Sequence, residues 1–298
     1  MKTYAAIDVG TNSVRLLVAD IRSGKIQPLL KDLITTRIGK GMATSSYLKL
    51  EAITRTVDAV AGFYRNAQRF AADKIYIFAT SAVRDASNKE VFICETEKRL
   101  GITPQILSGE EEAKLSFLGA TSAFQGEDLL KNIVVIDIGG GSTEIIFKKD
   151  TVHGVSLPMG AVRLAEKPLS SSEIAKLFFA EVENVPYKKP FIVGVGGTAT
   201  SLAAIAQGLV KYDTSKVHGY KLTTTVVNQV NAKLHKLTLQ ERENLPGLDP
   251  RRADIIPYGS EILATLLRLF NADSLTVSES DILEGRILAG LKTEFSQK

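Results

Sequence analysis

The chain opens on an apolar run, Thr3-Tyr4-Ala5-Ala6-Ile7-Asp8-Val9, breaks at Gly10-Thr11-Asn12, and resumes from Ser13 to Ala19. Two short apolar segments separated by a glycine turn predict a tight hairpin. A third strand is predicted over Ile26 to Leu30, after Gly24. From Leu48 to Phe70 the period changes: Ile53, Val57, Val60 and Tyr64 recur at helical spacing, which predicts a long amphipathic helix. A strand at Lys74 to Thr80, a helix from Asn88 to Leu100 stopped by Gly101, and a strand at Gln105-Ile106-Leu107 follow. Ser108 stands three residues before Glu111, the spacing of a capping box, so a helix is predicted from Gly109 to about Phe124.

The pattern then starts again. Asn132 to Ile136 is a predicted strand, Asp137-Ile138-Gly139-Gly140-Gly141-Ser142-Thr143 a glycine turn, and Glu144 to Lys148 a returning strand. Placing Ala6-Ile7-Asp8-Val9-Gly10-Thr11-Asn12-Ser13 over Val135-Ile136-Asp137-Ile138-Gly139-Gly140-Gly141-Ser142 keeps the Asp, the first Gly and the final Ser in register, as a duplicated unit would. Strands at Phe191 to Val195 and Ser274 to Val277 are interleaved with helices from Thr198, from Thr225 to His235, from Ser260 to Phe270 and from Asp281. This mixture predicts an α/β fold in two lobes with a cleft between them, divided near residue 120 into 1–120 and 121–298, with the last helix free to return to the first lobe.

Length supports two lobes, since 298 residues exceed one ordinary core. Hydrophobic residues at 44% and charged residues at 23% match a soluble globule, and no apolar stretch reaches the roughly 18 residues that span a bilayer. With no signal-peptide pattern and one cysteine, cytoplasmic residence is expected, and Cys94, flanked by Val91, Phe92 and Ile93, is expected in the core. The net charge of +4 makes the chain a mild attractor of anions and not a nucleic-acid binder by bulk charge. The basic pairs Lys188-Lys189 and Arg251-Arg252 are candidate surface sites only.

The chemistry gathers at the glycine turns. Glycines there are expected to reach positive φ and aim several amides at one point, a nest that holds phosphate oxygens. The leading Asp has the sign of phosphate, so a divalent cation between them is implied, and magnesium fits. One such turn would be only a tight turn; two matched turns led by Asp8 and Asp137 make an anion site the better reading. Gly194-Val195-Gly196-Gly197-Thr198, between a strand and a helix, is a third place for a phosphate. His153, His218 and His235 lack metal-ligand spacing, and no serine has an identifiable base, so water is the expected nucleophile.

Five segments in order, Ala6 to Ser13, Ala79-Thr80-Ser81-Ala82-Val83-Arg84, Ser108-Gly109-Glu110-Glu111-Glu112-Ala113, Ile136 to Glu144 and Gly194 to Thr198, resemble the motif set of the exopolyphosphatase and guanosine pentaphosphate phosphohydrolase (Ppx/GppA) family. Agreement extends to His218-Gly219-Tyr220, Arg252-Ala253-Asp254 and Val277-Ser278-Glu279. The resemblance implies two ribonuclease H-like domains of the actin-like ATPase superfamily, Mg²⁺ dependence, and removal of terminal phosphate by water. It maps the catalytic base to Glu112 and metal-linked acids to Asp137 and Glu144. Arg84 is then expected to clamp the phosphoryl oxygens. Asp8, Gly10, Thr11, Asn12, Ser13, Arg15, Gly139, Gly140, Gly141, Ser142, Thr143, Gly196, Gly197 and Thr198 are expected to bind substrate. The chain stops at Lys298 without the helical HD-type extension of longer family members, which favours inorganic polyphosphate with a bias to shorter chains. Guanosine pentaphosphate (pppGpp) is the alternative substrate; an ATP-dependent kinase, a chaperone ATPase or an anion sensor are the other classes, and a homodimer is left open.

Overall fold

The computed structural model describes residues 2–22, 24–124 and 131–296. The first half runs β1 (Lys2–Val9), β2 (Ser13–Arg22), β3 (Lys25–Thr35), α1 (Leu50–Arg69), β4 (Lys74–Ala79), α2 (Ser81–Asp85), α3 (Lys89–Leu100), β5 (Gln105–Ile106) and α4 (Gly109–Ser122). The second half runs β6 (Ile133–Ile138), β7 (Thr143–Lys148), β8 (Val152–Leu157), α5 (Ala161–Glu166), α6 (Ser171–Glu183), β9 (Phe191–Val195), α7 (Gly196–Ala206) and α8 (Thr214–Val217). It continues through β10 (Lys221–Thr223), α9 (Thr224–Lys236), α10 (Leu239–Glu243), a 3₁₀ turn at Pro250–Arg252, α11 (Ile256–Leu269), β11 (Ser274–Val277) and α12 (Ile282–Ser296).

The duplication legible in the turns extends to the sheets. One sheet has the order β3-β2-β1-β4-β5, and the other contains β8-β7-β6-β9-β11 with β10 added at its edge. In both, the first three strands are antiparallel and the next parallel. Strand β1 is buried from Tyr4 to Val9, as a central strand covered on both faces must be, which is why it reads as a continuous apolar run. Helix α1 buries Ile53, Val57, Val60 and Phe63 against this sheet.

The local signals mostly hold. Ser108 and Glu111 form the capping box of α4, and Gly101 ends α3 in the left-handed region at φ 68. Strand β3 is longer than the predicted 26–30; Lys31 and Asp32 interrupt its apolar pattern, and Pro28 is tolerated because this is an edge strand. Helices α5 and α6 and strand β8 went unpredicted, although Ser170 and Glu173 make a second capping box at the start of α6. Cys94 is a correction: it is exposed. On α3 the buried residues Phe92 and Thr96 lie four apart on one face, so Cys94 midway between them points outward.

Two helices cross between the sheets. Ala113, Phe117 and Ala120 of α4 join the core beneath the second sheet with Ile133, Val135 and Val193. Helix α12, which follows the last strand of that second sheet, packs instead with Tyr4, Ala6, Leu17 and Phe78 of the first. The helices touch where Gly119 meets Gly285: a Cβ on Gly119 would lie 1.7 Å from the Asp281 carbonyl oxygen, and one on Gly285 1.9 Å from that of Leu115. Glu112, in the first turn of α4, is thereby held by both cores.

Candidate active site

The two hairpins are built alike. Gly10 N–H donates to the Ser13 carbonyl at 3.0 Å, and Gly139 N–H to that of Ser142 at 3.0 Å. Strand register sets Asp8 opposite Arg15 and Asp137 opposite Glu144, the same seven-residue step. In the first hairpin the facing pair has opposite charges, and in the second both are acids. That one difference divides their chemistry.

In the first hairpin Arg15 donates from Nε and Nη2 to Asp8 Oδ2 at 2.9 and 2.6 Å, and from Nη1 to Asp281, just before α12. Arg15 is therefore held between two buried carboxylates; it borders the cleft without a free donor fork for substrate. Asp8 Oδ1 is buried and has no hydrogen-bond partner. In the second hairpin no arginine intervenes. Burial, then the neighbouring Asp281, raises Asp137 to about 7 against the opposing pull of Arg15. Glu144 is raised well above its usual range by burial and then by Glu112 and Asp137.

The glycines act differently from the expectation. Gly10, Gly139, Gly140 and Gly141 do not have positive φ; of the turn glycines only Gly196 does, at φ 75. Their role is close approach. A Cβ on Gly141 would lie 2.4 Å from Thr11 Oγ1 and 2.6 Å from Ser81 Oγ, so the turns meet across the cleft only because that position is bare. The turn carbonyls are tied behind: Thr11 O accepts from Gly39 N–H at 2.9 Å, Gly139 O from Ala161 N–H at 2.9 Å, and Gly140 O from Val162 N–H at 2.8 Å. Among the described residues no protein acceptor takes the amides of Thr11, Asn12, Gly140 or Gly141. The turns thus offer unfilled donors to an anion without left-handed backbone.

Glu112 lies in the same cleft, 8% exposed. Burial raises its pKa to about 7, while Arg84 pulls it down and Asp8 and Asp85 push it up. Arg84 Nη1 donates to Glu112 Oε2 at 2.5 Å and to the Leu107 carbonyl at 3.3 Å. The predicted phosphate clamp is thus spent on the carboxylate and lies outside the cleft lining.

The other expected residues line the cleft, with two exceptions in detail. Thr143 is buried and donates its hydroxyl to the Met159 carbonyl at 2.6 Å, so it faces the core. Thr198 borders the cleft, but its hydroxyl donates to the Ile138 carbonyl at 3.0 Å. Residues not foreseen are Thr80, Ser81 and Arg252 in the lining, and Asp281 behind Arg15. Arg252 lies against Gly197, where a Cβ would be 1.6 Å from its Nη1, and burial lowers its pKa. It was visible in the sequence as half of a basic pair, but Arg251 is occupied by Asp249 at 2.8 Å and only Arg252 of the two reaches the part of the cleft that the glycine turns line.

The donor set suits a hard cation that keeps much of its own hydration. Among the described residues no group of three or more His, Cys, Asp or Glu forms a ready cage. Two facing acids, both raised chiefly by burial, with an orphaned Asp8 oxygen in the same cleft, are the few carboxylate ligands that magnesium takes while water and phosphate oxygens complete its shell.

The sheets and cleft define an α/β protein of two ribonuclease H-like lobes in the actin-like arrangement, with both glycine turns lining the cleft between them. The chain belongs to the Ppx/GppA phosphatase family, whose description matches residues 17–294. It is 34% identical to exopolyphosphatase 2 of Mycobacterium tuberculosis over 96% of this chain and 97% of that one. It is 33% identical to a bifunctional 3-dehydroquinate synthase/phosphatase of Fusobacterium nucleatum over 97% of this chain, which spans only 47% of that longer relative. The crystal structure of the Aquifex aeolicus family member matches with a TM-score of 0.82 at 29% identity, covering 98% of each chain.

Proposed function

We propose that this protein removes the terminal phosphate of inorganic polyphosphate by attack of water, with Glu112 as general base. The observation that carries this is a buried carboxylate poised near pH 7, facing two amide-lined turns across one cleft. A base must accept a proton at working pH and still be ionised in a good fraction of molecules; a value of about 7 meets both needs. Arg84 orients the Glu112 carboxylate, leaving its second oxygen for the water. The free amides of Thr11, Asn12, Gly140 and Gly141 receive the oxygens of the transferring phosphoryl group, and Arg252 adds positive charge where the chain continues. Asp137 and Glu144, assisted by the unpartnered Asp8 Oδ1, would hold magnesium, which would supply charge neutralisation to the phosphate oxygens. The two halves divide near residue 120, with α4 and α12 exchanged between them.

Hydrolysis of pppGpp is the second reading. Beyond Arg252 the cleft widens into a space lined by Leu209, Val210, Tyr212, Leu248 and Arg251, where apolar side chains beside arginines could take a nucleoside. Among the described residues no helix is long and apolar enough to cross a membrane, and a cytoplasmic site of action is the reading consistent with one exposed cysteine.

The test is phosphate release with Mg²⁺ from long-chain polyphosphate, tripolyphosphate, pppGpp and ATP. Polyphosphate should be turned over in preference to ATP. Faster release from pppGpp than from either polyphosphate would move the assignment to the second reading, and ATP consumption only in the presence of an acceptor would replace both with a kinase.

A further inference from the structure

The segment between β3 and α1 belongs to neither sheet, yet it is bonded to the first turn, to residues beside Arg252 and to α5. Its start is fastened to the first turn: Thr36 and Arg37 N–H donate to the Asn12 carbonyl at 3.1 and 2.8 Å, and Gly39 N–H to that of Thr11. A Cβ on Gly39 would lie 2.3 Å from Thr11 Cγ2, so segment and turn meet without slack. Arg37 has φ 52, a left-handed backbone that costs energy for a residue with a side chain. In that conformation its guanidinium makes a bidentate pair with Asp254 at 2.7 and 3.2 Å and donates to the Arg251 carbonyl at 3.1 Å. These partners flank Arg252.

Farther along, Gly41 and Ala43 N–H donate to the two carboxylate oxygens of Glu166 at 2.6 and 3.1 Å. Glu166 ends α5, the helix whose first amides hold the carbonyls of Gly139 and Gly140. One short segment is therefore joined to the first turn by its backbone, to the neighbours of Arg252 by Arg37, and to the helix behind the second turn by two amides. Strained backbone kept at such a junction is held there by its surroundings, and those surroundings exist only when the two halves are together.

We propose that residues 36–43 are a strap that draws the two turns to their working separation, with Arg37 and Glu166 as its positioning residues. Neither touches the reacting phosphate; both act by setting the distance between the amide donors of the first turn and those of the second. The catalytic consequence rests on the phosphohydrolase reading above, whereas closure follows from the contacts alone.

The Gly41 and Ala43 amides have Glu166 as their acceptor, so their hydrogen exchange reports closure directly. Exchange of the segment 36–46 is measured by mass spectrometry with and without inorganic phosphate, beside kcat and KM on tripolyphosphate. The proteins are the wild type, Glu166→Ala, Glu166→Gln, Arg37→Ala and Arg37→Lys, each checked for an unchanged Tm. Phosphate should slow exchange at Gly41 and Ala43 in the wild type by about tenfold or more, as expected for bonds to a charged acceptor. Glu166→Ala and Arg37→Ala should abolish that slowing and lower kcat about tenfold with a smaller change in KM. Glu166→Gln, which keeps one acceptor oxygen, and Arg37→Lys, which keeps the charge, should recover part of both. Unchanged exchange and kcat in both alanine variants overturns the strap, as does a loss of kcat with phosphate-dependent exchange intact. If the wild type releases no phosphate from any phosphoanhydride while exchange follows the predicted pattern, the strap stands and the assigned reaction falls.

Discussion

Raising the pH of the metal-free protein from 5 to 8 should lower its thermal stability, and a divalent cation should cancel most of the loss. Glu112 and Asp137 are both raised to about 7, burial being the largest cause, and Glu144 is held higher still. In the unfolded chain such acids ionise near pH 4. A group raised on folding contributes stability that is complete below its unfolded pKa and is lost as pH climbs through the folded value. For Asp137 the gap from 3.8 to about 7 is about three pH units, of which two fall between pH 5 and 7. At 1.36 kcal/mol per unit that is about 3 kcal/mol, counted once because the acids of one cluster titrate together. For a chain of 298 residues the change corresponds to a fall in Tm of roughly 5 °C. Calorimetric scans in EDTA across this range measure it, and parallel scans in magnesium should show stabilisation concentrated at the upper end, because the cation competes with protons for the same oxygens. An EDTA curve flat from pH 5 to 8, or magnesium raising Tm equally at both ends, would refute the electrostatic account of the second hairpin.

Arg15→Ala should cost about 3–5 kcal/mol by leaving Asp8 and Asp281 facing each other unpaired, read as a lower denaturation midpoint; a loss under 1 kcal/mol would show that the bridge is not structural. Gly119→Ala should force α4 and α12 apart, at a cost of roughly 1–3 kcal/mol, and should lower kcat along with stability because α4 carries Glu112; unchanged kcat would separate the crossing from the base. Cys94→Ser should change unfolding free energy by less than about 0.5 kcal/mol, as an exposed position allows, and a core-sized loss would contradict its outward placement.

Much of this site was legible in the chain because its parts are local. The turns after Asp8 and Asp137 announce themselves by glycine, and Ser108 with Glu111 fixes the start of α4 and so the position of Glu112. What the turns do with their glycines was not legible. Close contact between Gly141 and Thr11 is a fact of two segments 130 residues apart, while positive φ is a local guess. The Asp8–Arg15 pair could have been found, since a hairpin closed by Gly10 N–H on Ser13 must place residues 8 and 15 opposite one another. Asp281 could not, because it reaches Arg15 through the packing of α12, and Arg252 showed only as half of a basic pair, since no periodicity encodes which of the two the 3₁₀ turn aims inward. The pairing of Arg84 with Glu112 was not legible, because their spacing is set by two elements that meet only in the fold.

The central claim is that Glu112 takes the proton from the attacking water. The direct measurement is single-turnover phosphate release from tripolyphosphate with magnesium by Glu112→Gln beside the wild type. The amide nearly matches the carboxylate in shape but cannot serve as the base, so the rate should fall by about 10²–10⁴ while tripolyphosphate affinity stays within a few-fold. A variant that keeps a rate within a factor of about three of the wild type would place the base elsewhere and contradict the mechanism.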